Sequence, residues 1–205
     1  MDEPHITRRP AGRGSRGLVL MLHGRDQSPD PLDSRSLSWL RMRLMLSQIV
    51  PGLRRAGLDV WLLRYRFGSW PDGGSQVIPV IDARWALARA AAELDVPTVL
   101  LGHSMGARTA LAVADDPQVR GVVALAPWFP PGEAVAPLTG RHLIAAHGRA
   151  DRLTSFAATE QFVRRASSVA LSSELIDMGA LDHFMLRGIR QWNAVAKDRA
   201  IAMFD

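Results

Sequence analysis

Short, continuous apolar runs separated by stretches of helical periodicity constrain this chain more than any other feature. Leu18–Leu22 is apolar at every position, the pattern of a strand covered on both faces. Leu58–Arg64, Val96–Leu101, Gly121–Ala126, His142–Ala146 and Ser173–Met178 read as five further strands. Between the first two runs, Leu37, Leu40, Leu44, Ile49 and Leu53 recur at helical spacing to about Arg55; Pro51 is expected to kink or split that helix, and Gly57 to end it. Val77, Ile81, Trp85, Ala88 and Ala92 form one stripe of a second helix ending near Leu94. Met105–Ala114 reads as a short Ala-rich helix, Phe156, Phe162 and Val163 sit on another, and Leu186–Phe204 is a closing helix. Gly24–Ser34, Gly68–Gly74 and the proline-rich excursion Trp128–Gly140 read as loops. This alternation predicts an α/β fold: a three-layer sandwich in which a mostly parallel sheet of about six strands is flanked by helices through right-handed crossovers. The 205 residues fit one domain over 1–205, with the polar residues 1–16 as a flexible or surface-wrapping arm.

Composition narrows the function classes. Hydrophobic residues make up 47% of the chain, enough for a sizeable core, and no apolar run reaches the roughly 20 residues that span a bilayer. The N-terminus does not read as a secretory signal, and the lack of cysteine removes disulfides and thiolate sites, which fits a reducing cytoplasm. The formal net charge is +5, and of the 25 basic side chains only Lys197 is a lysine. The arginines are spread along the whole chain and no RNA- or DNA-binding motif interleaves them with aromatics, so a nucleic-acid partner is not expected. Arg8, Arg9, Arg13 and Arg16 read as a solvated arm, with weak attraction to anionic surfaces as the sharper alternative.

In parallel sheets, ligands gather at the carboxyl ends of the strands, so the residues there carry the functional argument. After the third strand comes Gly102-His103-Ser104-Met105-Gly106, then a helix, which matches G-x-S-x-G in strand–turn–helix context. Such a turn holds Ser104 in strained geometry above the sheet; side chains at Gly102 and Gly106 would collide with the neighbouring strand or helix. The plainer reading is a Gly-rich turn with an incidental serine. Of six histidines, His183 follows the sixth strand at the same edge and is the candidate general base, with an uninvolved loop histidine as the alternative. His103 should point away from the nucleophile and pack; His142 and His147 read as structural. Asp151, just past the fifth strand, is the candidate acid, with Asp182 and Glu133 as competitors. The backbone N–H groups of Met105 and Arg25 are the candidate oxyanion donors, Gly24 letting the chain approach a ligand closely. Trp70, Trp128, Phe129, Leu153 and Phe184 are candidate pocket residues; equally, Trp128 and Phe129 pack beneath the proline-rich excursion. Arg25 and Arg149 either attract an anionic substrate or are solvated or paired with Asp26 and Asp151.

Four motifs, Leu22-His23-Gly24, Gly102-His103-Ser104-Met105-Gly106, His147-Gly148-Arg149-Ala150-Asp151 and Asp182-His183-Phe184, resemble those of α/β-hydrolases in order and spacing, and the likeness runs from Leu18 to Phe204. Trp61–Arg66 and Asp82–Leu87 also look like a group of small actinobacterial hydrolases, which assigns no substrate. The family's full sheet has eight strands; here the first two, usually antiparallel, are absent or reduced to the segment before Leu18. The short excursion after the fourth strand leaves no room for a helical lid, closer to small carboxylesterases and dienelactone-hydrolase-like proteins than to lidded lipases. The resemblance implies a cofactor-free, metal-free serine hydrolase acting on a small-molecule ester. Acyl transfer, amide or thioester hydrolysis and perhydrolysis on the same residues stay open, as does a non-catalytic binding protein.

Overall fold

The computed structural model describes residues 3–12, 14–24, 36–68, 70 and 76–205. Arg13, Arg25, Asp26 and most of the loops expected at Gly24–Ser34 and Gly68–Gly74 lie outside the described residues. The apolar runs form parallel strands β2 (Gly17–Leu22), β3 (Leu58–Arg64), β4 (Thr98–His103), β5 (Val119–Leu125), β6 (His142–His147) and β7 (Ser172–Asp177). They alternate with helices α1 (Leu37–Arg55), α2 (Ile78–Glu93), α3 (Met105–Ala112), α4 (Phe156–Ala166) and α5 (Ile189–Ala202). The excursion after β5 holds one 3-10 turn, Ala136–Leu138.

The period of two in the strands sorts side chains between two cores. Leu18, Leu20, Trp61 and Leu63 meet Ala83, Ala86 and Leu87 of α2, Ala107 and Ala110 of α3 and Phe162 of α4. Val19, Met21, Val60 and Leu62 meet Trp39, Met42 and Ile49 of α1 and Trp192, Ala196 and Ala200 of α5 on the opposite face. Both faces are covered at the centre of the sheet, so β2 is apolar and buried at every position and reads as a continuous rather than an alternating run; the edge strand β7, Ser172–Asp177, is partly exposed and carries Glu174 and Asp177.

The sheet has seven strands among the described residues, one more than the sequence suggests, in the order β1-β3-β2-β4-β5-β6-β7. The extra strand is β1 (His5–Arg9), in the segment expected to be an arm; it pairs antiparallel with β3. All of its residues but Ile6, which packs against the core, are polar, as suits an edge strand, where charge discourages further pairing. Arg8 reaches back over the Trp61 ring, 4.7 Å from its centroid, and pairs with Glu93 at 2.9 Å. Arg16 pairs with Asp205, so these two arginines of the expected arm are used within the chain. Helix α1 runs unbroken through Pro51, and Gly57, at φ 74°, follows its C-cap.

The strand order reverses between β2 and β4: the chain steps outward from β2 to β3, then returns to the other side. A crevice opens at the carboxyl ends of strands flanking such a reversal. Leu22-His23-Gly24 and His103-Ser104 lie there.

Trp192 anchors α5, fully buried and with no acceptor for its indole N–H among the described residues. Trp192→Ala therefore loses packing alone and is expected to cost about 3–5 kcal/mol, read as a lower urea midpoint with an unchanged slope.

Candidate active site

Ser104 occupies the single residue between β4 and α3, at φ 55° and ψ −118°. An L-residue held there stores about 1–3 kcal/mol of strain, and the surroundings fix it. Ser104 N–H donates to the Leu125 carbonyl at 3.0 Å, and the Ser104 carbonyl accepts from the N–H groups of Trp128 (3.2 Å) and Ala107 (3.1 Å). The two flanking glycines are required by close approach: a Cβ on Gly102 would strike the backbone of Gly106 and Ala107, and one on Gly106 would strike the carbonyl oxygens of Leu22 and His23.

Three separate segments then converge. His183, in the loop after β7, places Nε2 3.0 Å from Ser104 Oγ and Nδ1 2.7 Å from Asp151 Oδ2. An ionised carboxylate only accepts, so Nδ1 carries the proton and Nε2 presents its lone pair to the serine hydroxyl. Asp151 follows β6, its side chain fully buried. Its Oδ1 accepts from the N–H groups of Leu153 (2.8 Å) and Thr154 (2.9 Å), and its Oδ2 from the Thr154 hydroxyl (2.8 Å) as well as from His183. Glu133 is instead paired with Arg108, and no hydrogen bond joins the Asp182 carboxylate to the His183 ring among the described residues.

Burial on its own would raise the Asp151 carboxyl. Hydrogen bonds from the His147 and His183 rings and the Thr154 backbone outweigh it and hold Asp151 well below the usual carboxylate range. It is therefore ionised at any pH where the protein would work. His103, next to Ser104, is the reverse case: burial, then the neighbouring His183, lower it to about 3, so the ring is neutral.

His103 packs as expected, with its ring 5.0 Å from that of His183, but it also bonds: its Nε2 lies 3.0 Å from the His183 carbonyl, to which it donates. Arg41, buried on α1, donates to the carbonyls of Phe184 (3.0 Å) and Met185 (2.7 Å) and so holds the loop that carries His183. Neither role is legible in the sequence, since both bonds go to backbone that is distant in the chain. Thr154 had a signal: a hydroxyl three residues after an acidic side chain is a common turn device.

The expected oxyanion donors divide. Met105 is the first residue of α3, where the N–H has no acceptor within the helix. Arg25 lies outside the described residues, but Gly24 before it is buried, and a Cβ there would sit 3.3 Å from Ser104 Cβ. The backbone at Gly24, just past β2, thus lies close to Ser104.

The pocket expectations also divide. Phe129 is a core residue instead: it is buried, its ring 4.2 Å from that of Phe162. Trp70 and Trp128 are half-buried and flank the Arg108 guanidinium, 4.2 and 4.6 Å from their ring centroids. Phe184 and Leu153 are exposed beside the site, Phe184 with its ring edge-on to His183. Arg149 pairs with Asp177 at 2.7 Å and stacks over Phe156, so it does not engage Asp151.

The alpha/beta hydrolase family matches residues 19–201. No curated protein matches the sequence significantly. Among solved structures, the chain is similar to an alpha-beta serine hydrolase homologue from Coxiella burnetii (18% identity, TM-score 0.71), over 96% of this chain and 90% of that one. It is also similar to Est1E from Butyrivibrio proteoclasticus with ferulic acid bound (13% identity, TM-score 0.69, 97% and 96% covered). A serine hydrolase without a lid from Xanthomonas campestris is a further neighbour (17% identity, TM-score 0.66, 94% and 86% covered). At these identities the structural likeness speaks for the fold; with the family match across nearly all of the sequence, the chain belongs to the alpha/beta hydrolase family.

Proposed function

We propose that this protein is a serine hydrolase that cleaves carboxylic esters of small or medium acyl groups through an acyl-enzyme on Ser104. The observation that carries the reading is the position of His183, with one ring nitrogen 3.0 Å from the Ser104 hydroxyl and the other 2.7 Å from the Asp151 carboxylate. A histidine so placed takes the serine proton as Ser104 Oγ attacks the ester carbonyl, and Asp151 stabilises the imidazolium that forms. The tetrahedral oxyanion is held by the N–H of Met105 at the start of α3 and by that of Arg25. Collapse expels the alcohol, which takes the proton from His183. Water then attacks the acyl group by the same route and releases the acid. The serine chemistry needs neither metal nor cofactor.

The reading extends to the substrate through the excursion after β5. It is short, and its one helical element is the 3-10 turn Ala136–Leu138. Arg108 fixes the Trp128 ring, and the Trp128 N–H bonds Ser104. The short excursion and the fixed Trp128 support the reading of a small or medium acyl group.

Three outcomes are expected. A fluorophosphonate probe labels Ser104 in the wild-type protein, and Ser104→Ala loses both labelling and ester turnover; turnover retained in Ser104→Ala sinks the mechanism. Short-chain p-nitrophenyl esters turn over faster than long-chain ones, and faster than matched anilides or thioesters; a reversed chain-length order points to a lipid-binding groove. Because Asp151 is held ionised well below the usual range, the acid limb of kcat/KM is a single-proton limb with unit slope. A slope of two would mean that Asp151 titrates with His183.

A further inference from the structure

We propose that His147 is a second imidazole donor to the Asp151 carboxylate, a positioning residue that holds the oxygen on which His183 depends. The inference rests on the serine-hydrolase reading above and deepens it. His147 is the last residue of β6 and fully buried. Its Nε2 lies 3.1 Å from Asp151 Oδ2, the same oxygen that His183 Nδ1 approaches at 2.7 Å. Its other nitrogen, Nδ1, lies 2.8 Å from the hydroxyl of Thr159, itself fully buried on α4. A histidine present only to fill space would not need both nitrogens matched. Facing a carboxylate, Nε2 carries the proton; in the neutral ring Nδ1 then accepts from Thr159, so the threonine sets the tautomer.

Asp151 consequently receives five donors: two backbone N–H groups on Oδ1, and the Thr154 hydroxyl, His183 and His147 on Oδ2. A carboxylate offers about four lone-pair directions, so the donors on Oδ2 compete for its charge. Two consequences follow. The carboxylate cannot rotate away from His183, because each oxygen is tied on its own side. And His147 draws off part of the negative charge that would otherwise raise the basicity of His183. Without the His147 N–H, Asp151 acts on His183 more strongly and less well aimed. The His183 imidazolium is then favoured, so the acid limb of activity moves to higher pH while turnover falls.

The other groups around this pair are accounted for. Neutral His103 stacks on His183 from β4, and the Arg41 guanidinium, from α1, is bonded to the carbonyls of Phe184 and Met185. On α4, the Phe156 ring lies edge-on to His147, 5.9 Å away, with Arg149 beyond it, paired to Asp177. The Thr154 hydroxyl is 3.4 Å from His147 Nε2 and belongs to Asp151.

The test compares His147→Leu, which removes the donor, with His147→Gln, whose amide N–H replaces that of Nε2. His147→Leu is expected to lower kcat about tenfold, the scale of one charge-assisted hydrogen bond, with KM little changed. Its acid limb should rise by roughly half a pH unit. His147→Gln should restore both. A wild-type pH profile in His147→Leu, whatever its thermal stability, overturns the proposal, as does a His147→Gln variant as impaired as His147→Leu. An activity-free readout guards against misfolding of the leucine variant: in ring-15N spectra of Ser104→Ala, His147 should carry its proton on Nε2, protected from exchange. A proton on Nδ1 alone overturns the proposal even if the chain hydrolyses nothing. Loss of probe labelling in the wild-type protein would instead remove the serine-hydrolase reading, and the positioning role with it.

Discussion

One close approach governs this molecule: α3 lies against the ends of β2 and β4 with no side chain between them. Gly102 and Gly106 make that contact possible, and a single added carbon at either would meet backbone. Because the helix cannot retreat, the chain must reverse from strand to helix within one residue, and Ser104 takes the positive φ that the reversal demands. The strain is small beside the two cores that flank the sheet, which impose it without needing any favourable interaction from the serine itself.

From that fixed point the remaining geometry is a matter of register. β4, β5, β6 and β7 are neighbours in parallel, so the loops leaving β6 and β7 open on the same edge as Ser104. Register brings Asp151 and His183 near; hydrogen bonds to main chain hold them there. Asp151 is gripped by the N–H groups of its own turn, and the His183 loop by His103 from β4 and Arg41 from α1. Buried polar groups of this kind are stabilising when their hydrogen bonds are made, and the bonds that hold this loop come from elements that belong to the core.

Much of this is visible in the sequence, for physical reasons that can be named. Central strands buried on both faces must be largely apolar, so they stand out, and Ser104, Asp151 and His183, which the structure brings together, can be picked out just past the carboxyl ends of their strands. β1 is invisible by the same logic: an edge strand is polar by necessity, and His5–Arg9 reads like a solvated arm. Phe129 misleads because an aromatic residue after a strand reads alike whether it faces a pocket or, as here, Phe162. The bonds of His103 and Arg41 carry no signal, since they depend on which loops the sheet brings together; His147, four residues before Asp151, lies inside a motif but reads there as structural. Arg149 has two acidic neighbours in space or sequence, and only the fold selects Asp177 over Asp151.

The bonds from Arg41 to the carbonyls of Phe184 and Met185 join residues separated by 143 and 144 positions. Contacts of such long range form late, because the intervening loop must close first. As the chain leaves a ribosome, Ser104 and Asp151 emerge well before the loop that bears His183, and Trp192 on α5 comes later still. A partly synthesised chain therefore holds Ser104 and Asp151 without the His183 ring that bonds to both. The three side chains come together only when the first helix grips the loop that precedes the last, so that the assembly of the cluster and the completion of the core belong to one event.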